Sequence, residues 1–175
     1  MSADRSELIV EHLDPASHDR KGFDCGIAAL NSFLQQQARK EMERRSAVTY
    51  VLVDAARRQE IVGYYSLSAA TVLLDAVPAE MAKQLGRQQS VPTTLMGRLA
   101  ISTKHQGKGL GARLLWDALQ RSEEKSREIG SVAVIVDAKD EKAATFYQKY
   151  GFRRFADPPL RLFLTMATIA AATKK

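Results

Sequence analysis

Short apolar runs alternate with polar segments along the chain and predict a mixture of strands and helices. The run Leu8–Leu13 predicts a first strand, and the turn 22–26 follows it. Apolar residues then recur at helical spacing from Ile27 through Leu30, Leu34, Ala38 and Met42, which predicts a helix. The β-rich runs 48–54 and 61–70, joined by a polar link, predict a hairpin.

The second half of the chain continues this alternation. It predicts a short helix over 79–85, a strand over 95–101, a helix from a glycine-rich turn to about 128, a strand over 132–136, a helix over 141–150 that ends at Gly151, and a closing antiparallel pair over 152–155 and 160–165. The order β-α-β-β-(α)-β-α-β-α-β-β predicts one α/β (α+β) domain over residues 1–175. Its core spans about 8–165, and the tail 167–175 gives no firm signal.

Composition narrows the class of protein. Hydrophobic residues make up 45% and charged residues 26%, as in ordinary globular proteins. No apolar run approaches the roughly 20 residues of a membrane span, and the polar N-terminus is unlike a signal peptide. The single cysteine, Cys25, cannot form an internal disulfide. We therefore expect a cytoplasmic protein.

The formal net charge of +6 favours anionic partners, namely nucleic acid, coenzyme phosphates or an acidic protein. A solvated basic surface explains the charge equally well. Cations concentrate near the end of the first predicted helix, at Arg39, Lys40, Arg44 and Arg45. They either stabilise the helix C-terminus or form an anion-binding patch.

The segment 107–111, Gly-Lys-Gly-Leu-Gly, lies between a predicted strand and a predicted helix, an arrangement typical of phosphate binding. A nucleotide P-loop is excluded because no Gly-Lys-Ser/Thr follows the required spacing. The dinucleotide fingerprint is matched by Gly107, Gly109 and Ala112. However, its first glycine should directly follow the strand, and here 102–106 intervene.

The pattern Gln106-x-x-Gly109-x-Gly111 resembles the coenzyme A loop of the GCN5-related N-acetyltransferases, the GNAT family. Residues 143–152, Ala-Ala-Thr-Phe-Tyr-Gln-Lys-Tyr-Gly-Phe, resemble a late motif of the same family, and the strand order fits it over residues 8–165. The resemblance implies a GNAT fold, in which a mixed, mostly antiparallel sheet with splayed central strands is flanked by helices.

A narrower resemblance rests on the segments 23–26 (Phe-Asp-Cys-Gly), 62–67 (Val-Gly-Tyr-Tyr-Ser-Leu) and 97–100 (Gly-Arg-Leu-Ala) and on the ending 159–164. They are similar to the acetyltransferase toxins of bacterial toxin–antitoxin systems. This resemblance implies acetylation of the α-amino group of aminoacyl-tRNA, which blocks translation. It also implies a ribbon-helix-helix antitoxin, operator DNA contacted only through the antitoxin complex, and a homodimer.

The family resemblance also assigns roles to residues. Acetyl-CoA, without a metal, would be bound by Leu99, Ala100, Ile101, Gln106, Gly107, Lys108, Gly109, Leu110, Gly111 and Ala112. Tyr147 matches the general acid that protonates the leaving thiolate, and its alternative role is a half-buried aromatic anchor. The phosphates of tRNA would be contacted by Arg39, Lys40, Arg44, Arg45, Arg87 and Arg98, although Arg98 has a structural alternative.

No histidine stands in a motif that would make it a general base, and His12, His18 and His105 lie apart in sequence. An α-amino group, with a pKa of about 8, needs less help than a lysine at about 10.4. The missing base thus favours an α-amine. Two alternatives stay open: a GNAT enzyme that acetylates a small amine or a protein N-terminus, and a non-catalytic coenzyme-binding or co-repressor module.

Overall fold

The computed structural model describes residues 7–73, 78–79, 82–83 and 90–174. Its strands are β1 (Leu8–His12), β2 (Val48–Asp54), β3 (Gly63–Leu73), β4 (Ser90–Ile101), β5 (Ala133–Asp137), β6 (Arg153–Arg154) and β7 (Arg161–Thr165). Its α-helices are α1 (Ala28–Ser32), α2 (Ala38–Arg44), α3 (Leu110–Ser126), α4 (Glu141–Lys149) and α5 (Met166–Thr173). None of these helices is both long and apolar enough to cross a membrane.

The strands form a seven-stranded mixed sheet in the order β1-β2-β3-β4-β5-β7-β6. Strand β4 pairs in parallel with β5, at Thr94 with Val134 and Leu95 with Ile135. The pairs β1–β2, β2–β3, β5–β7 and β6–β7 are antiparallel. This mixed sheet with flanking helices confirms the predicted fold class.

The chain folds as two compact units, the first made of residues 1–67 and 98–117. Tyr64 is fully buried in the core of this unit. Its ring stacks on Phe33 at 6.1 Å between centroids and meets Phe23 edge-on at 5.4 Å. Its hydroxyl donates to the carbonyl of Leu30 at 2.6 Å, so the buried polar tip is satisfied. Burial raises the pKa of this phenol, which stays neutral.

The second unit consists of residues 68–97 and 118–175. Its core includes Phe155 and Phe163, whose rings meet edge-on at 5.6 Å. Helix α4 begins after Asp140, whose side chain accepts the N–H of Ala143 at 2.8 Å. Gly151 follows the helix with φ of 96°, as the sequence predicts for a residue that ends it.

Two sequence predictions need correction, and the first is that strand β4 starts at Ser90, not at 95. The tail, for which no element was predicted, forms helix α5. The first helix is not uniform, because the segment 33–37 between α1 and α2 is a π-helix. The predicted short helix over 79–85 lies largely outside the described residues.

Gly63 marks a close approach of β3 to β4. A Cβ there would lie 2.8 Å from the carbonyl oxygen of Ala100 and 2.7 Å from Cδ1 of Ile101. We expect Gly63→Ala to lower the free energy of unfolding by about 1–3 kcal/mol, because a backbone atom cannot move aside cheaply. Denaturant titration measures this loss. The control is Gly130→Ala, where a Cβ meets nothing within 4 Å, and an equal loss in both variants would contradict the packing explanation.

Candidate active site

The predicted phosphate loop lies between β4 and α3. One turn of 3₁₀-helix, Thr103–His105, follows the strand, and the loop then leads into the helix at Leu110. Gly107 has φ of 79° and Gly109 has φ of 75°. A Cβ at either position would meet nothing within 4 Å. The loop therefore needs glycine for its backbone conformation and not for space.

The loop presents unpaired donors to solvent. Gln106, Gly107, Lys108 and Gly109 are exposed. Within the described part of the chain, the N–H groups of Gly107, Lys108 and Gly109 donate to no other backbone group. The 17-residue helix α3 follows directly, with no acidic side chain in its first turn. Unpaired N–H groups at the positive end of a long helix can bind an anion such as a phosphate group.

Side chains ahead of the loop fasten it to the rest of the first unit. The Nε2 atom of Gln106 donates to the carbonyl of Ile101 at 2.9 Å and to that of Cys25 at 3.1 Å. The N–H of Thr103 donates to the carbonyl of Asp24 at 2.8 Å. Sequence reasoning assigned Gln106 to the coenzyme but did not find this second task for its side chain.

Asp24 lies just ahead of the first helix in sequence but does not cap it. The residue before α1 is Ile27, and it makes no side-chain capping bond. Asp24 instead accepts the N–H of Gly26 and the side chain of Asn31. These bonds lower the pKa of Asp24, the Gly26 bond contributing most. An Asp followed two residues later by Gly is a turn signal that could have indicated this role.

The strand before the loop carries the residues expected to hold the pantetheine arm. Ala100 is buried, whereas Leu99 and Ile101 are half-buried. The chain leaves β4 at Ser102, whose N–H donates to the carbonyl of Val62 at 2.8 Å. This bond fixes the end of the strand immediately before the loop.

Tyr147 lies on α4 in the second unit and is half-buried. Its ring packs edge-on against Phe146 at 5.3 Å and against Phe152 at 5.4 Å. Burial raises the pKa of the phenol to about 12. Its hydroxyl has no hydrogen bond to any residue that the structure describes. The aromatic contacts fix the ring, and the phenol keeps its proton at neutral pH.

Tyr150 differs from Tyr147 although it lies on the same helical segment. It is 37% exposed and its ring contacts Phe146 at 5.2 Å. Tyr150 is thus more exposed than the half-buried Tyr147, and its ring contact with Phe146 indicates a packing role.

The three histidines have structural neighbours. His18 is buried, accepts the N–H of Asp14 at Nδ1 and lies 2.8 Å from Glu11 through Nε2. The ring of His12 is tilted against that of Tyr50 at 4.8 Å between centroids, and Nε2 of His105 lies 3.4 Å from Glu60. Among the described residues, no His, Cys, Asp and Glu side chains are grouped so as to hold a metal ion.

The predicted nucleic-acid contacts separate into three groups. Arg39, Lys40, Arg44 and Arg45 are all exposed on α2 or directly after it, with Arg39 3.7 Å from Glu43. The half-buried Arg98 lies with its guanidinium 3.6 Å from the ring centroid of Phe33, a contact that favours its structural alternative. Arg87 lies outside the described residues.

Comparison with known proteins adds two curated relatives. The chain is 29% identical over 171 residues to the probable toxin TacT of Sinorhizobium fredii, with 94% of each chain covered. It is 30% identical over 148 residues to the tRNA-acetylating toxin of Mycobacterium tuberculosis, with 85% of this chain and 86% of the relative covered.

Two solved structures extend the comparison. AtaT in complex with acetyl-methionyl-tRNAfMet is 29% identical at a TM-score of 0.87, covering 95% of this chain and 99% of that one. A Tyr-to-Phe mutant of AtaT bound to acetyl-CoA and the C-terminus of the antitoxin AtaR is 29% identical at a TM-score of 0.81, covering 97% and 99%. The model of the acetyltransferase (GNAT) domain matches residues 17–162. The chain with this glycine loop thus belongs to the GNAT acetyltransferase family.

Proposed function

We propose that this protein is the toxin of a toxin–antitoxin system and transfers the acetyl group of acetyl-CoA to the α-amino group of aminoacyl-tRNA. The observation that carries the enzymatic half is the exposed loop of unpaired N–H groups at the start of α3. The choice of aminoacyl-tRNA is supported by likeness to tRNA-acetylating relatives along nearly the whole chain.

Acetyl-CoA supplies the acetyl group as a thioester. In this proposal, the N–H groups from Gln106 to Gly111 hold its pyrophosphate, and Leu110 and Ala112 belong to the helix turn that opens there. Backbone groups of Leu99 and Ile101 hold the pantetheine arm in the manner of an added strand. Lys108 is exposed and adds positive charge beside the loop.

Tyr147 is proposed to donate its phenolic proton to the sulfur that leaves during acetyl transfer. A thiol has an ordinary pKa of about 8.5, below the pKa of about 12 of the Tyr147 phenol. At a pH where a thiolate can form, the phenol therefore still carries the proton to be donated. Burial also raises the pKa of a thiol beside the phenol, because it disfavours the charged thiolate. The difference between the two pKa values becomes smaller, so proton transfer from the phenol to the sulfur becomes less unfavourable. The rigid aromatic contacts of the Tyr147 ring suit a donor that must be positioned before the reaction.

The exposed cations of α2 are proposed to contact the phosphates of tRNA. Four of them lie within seven residues of sequence, Arg39–Arg45, and they project from one short helix and its end. Such contacts bind the phosphate backbone without reading bases, so the choice of tRNA would come from other parts of the protein.

The proposed partner is an antitoxin that neutralises the enzyme, as the AtaR complex of AtaT suggests. Operator DNA would be reached only through that antitoxin, for which we propose a ribbon-helix-helix fold. We also propose a homodimer. A cytoplasmic location is proposed because translating ribosomes and charged tRNA are found in the cytoplasm.

The direct test is incubation of the purified protein with labelled acetyl-CoA and either charged or uncharged tRNA. Label is expected on charged tRNA alone, because only the esterified amino acid offers an α-amine. Label on a polyamine or a protein N-terminus with none on charged tRNA would favour the alternative GNAT activity instead.

Replacement of Tyr147 by Phe keeps the ring contacts and removes the proton. We expect kcat to fall by about 10²- to 10⁴-fold, with little change in KM for either substrate. The matched control is Tyr150→Phe, which removes a hydroxyl from the same helical segment and should leave kcat near that of the wild type. Equal losses in the two variants would contradict the acid role.

The pH profile follows from two groups. The substrate amine must be neutral, so the rate should rise through its pKa of about 8 or below. Tyr147, with its pKa raised to about 12, keeps its proton and should cause no fall in rate up to about pH 10. Single-turnover rates at saturating acetyl-CoA measure this profile, and a fall that begins near pH 8 would show that a different acid acts.

Neutralising adjacent cations on α2 tests the tRNA surface. In the double variant Arg44→Gln and Arg45→Gln, KM for charged tRNA should rise, and the slope of log binding constant against log salt should decrease by about 0.7–0.9 for each lost phosphate contact. KM for acetyl-CoA should stay constant. The control variant, Arg57→Gln and Arg58→Gln, removes two exposed cations from the β2–β3 connection; an equal effect there would indicate general charge attraction only.

A further inference from the structure

Asn31 on α1 uses both ends of its amide to hold the turn 24–26. Its Nδ2 donates to Oδ1 of Asp24 at 2.9 Å, and its Oδ1 accepts the N–H of Cys25 at 2.9 Å. Oδ1 of Asp24 also accepts the N–H of Gly26 at 2.8 Å. The turn is therefore fixed to the helix through a closed set of three hydrogen bonds.

The same turn holds the segment that leads into the glycine loop. The carbonyl of Asp24 accepts the N–H of Thr103 at 2.8 Å, and the carbonyl of Cys25 accepts Nε2 of Gln106 at 3.1 Å. Gln106 gives its other amide hydrogen to the carbonyl of Ile101 at 2.9 Å. Thr103 and Gln106 are thus hydrogen-bonded to the turn about 80 residues earlier in the chain. Gln106 is also hydrogen-bonded to Ile101, the last residue of β4.

Gly26 has φ of 84°, the left-handed conformation that lets this turn face the segment 101–106. A Cβ there would lie 3.6 Å from Cγ2 of Thr103, an ordinary contact. Asp24 is exposed and Asn31 is half-buried. Hydrogen bonds at such positions add little to global stability, so their main effect is on the geometry of what they hold.

The hydrogen bonds of the turn 24–26 hold the backbone that precedes the unpaired N–H groups of Gly107, Lys108 and Gly109. Glycine-rich segments have many accessible conformations, and a loop that must become ordered on binding loses affinity. Both hydrogens of the Gln106 amide are committed to carbonyls, so its side chain cannot also donate to a phosphate.

We propose that Asp24, Asn31 and the Gln106 side chain are positioning residues that keep the coenzyme loop ordered for binding, acting through the turn 24–26. This rests on the proposed binding of acetyl-CoA at residues 106–111. In this role the three side chains affect binding only through the conformation of the loop and do not contact the coenzyme themselves.

The test measures binding of coenzyme A to the full-length protein by calorimetry, for the wild type, Asn31→Ala and Gln106→Met. Removing two hydrogen bonds should weaken coenzyme A binding by about tenfold in each variant. At saturating acetyl-CoA, the Asn31→Ala variant should keep the wild-type kcat and KM for charged tRNA, while KM for acetyl-CoA rises in both variants. A loss of fold alone would lower the active fraction without this selective change in KM.

The matched control is Asp54→Ala. Asp54 accepts the N–H of Ala56 at 2.9 Å, in a turn of the same type at the end of β2. This variant should bind coenzyme A like the wild type. If Asn31→Ala does not fold, Gln106→Met, at an exposed position, decides the question.

The outcomes separate the two proposals. If the wild type binds coenzyme A and both variants bind it equally well, the positioning role is overturned and the proposed function stands. If the wild type binds no coenzyme A, the proposed function fails, and the positioning role fails with it. Weaker binding in both variants but not in Asp54→Ala supports the positioning role.

Discussion

The glycine-rich turn ahead of α3 is the constraint on which the proposed coenzyme site depends. It requires left-handed backbone at Gly107 and Gly109, and it leaves N–H groups exposed at the start of a long helix. Such a loop binds a phosphate well only when its conformation is set beforehand. In the positioning role that we propose, the fixed end of β4 at Ser102 and the turn 24–26 supply that order, so residues distant in sequence contribute to one short loop.

The chemistry divides between binding and a single proton transfer. In the proposed reaction an amine attacks the thioester directly, with no covalent enzyme intermediate, so the tasks of the chain are to orient the reactants and to protonate the leaving sulfur. Tyr147 suits the second task, because burial keeps its phenol neutral and its neighbours Phe146 and Phe152 fix the ring. Each of the three histidines has a neighbouring side chain in the structure, His105 among them although it precedes the loop, and an acceptor amine that is largely neutral needs no dedicated base.

The parts of this protein that local sequence signals determine were predictable. The periodicity of apolar residues and the positions of the glycines predicted the strand, loop and helix around 99–111. They also predicted the helix that carries Tyr147 and its end at Gly151. The start of β4 at Ser90 was missed because Thr93 is a polar residue in sequence, and its burial depends on the hydrogen bond of its hydroxyl to the carbonyl of Ala70, 23 positions earlier. The Gln106 contact with Cys25 was missed because it spans 81 positions, a distance that no local pattern reveals. Helix α5 had a signal in Thr165, which caps it, but its run of small residues lacks periodicity.

Where the acetyl group finally resides is the central question for this protein. After reaction of the wild type with acetyl-CoA and charged tRNA, mild alkaline hydrolysis releases the esterified amino acid, which mass spectrometry can identify. If the protein acetylates the α-amine of aminoacyl-tRNA, this hydrolysis releases the N-acetylated amino acid. Release of the unmodified amino acid, with the acetyl group on a small amine or a protein, would contradict this function.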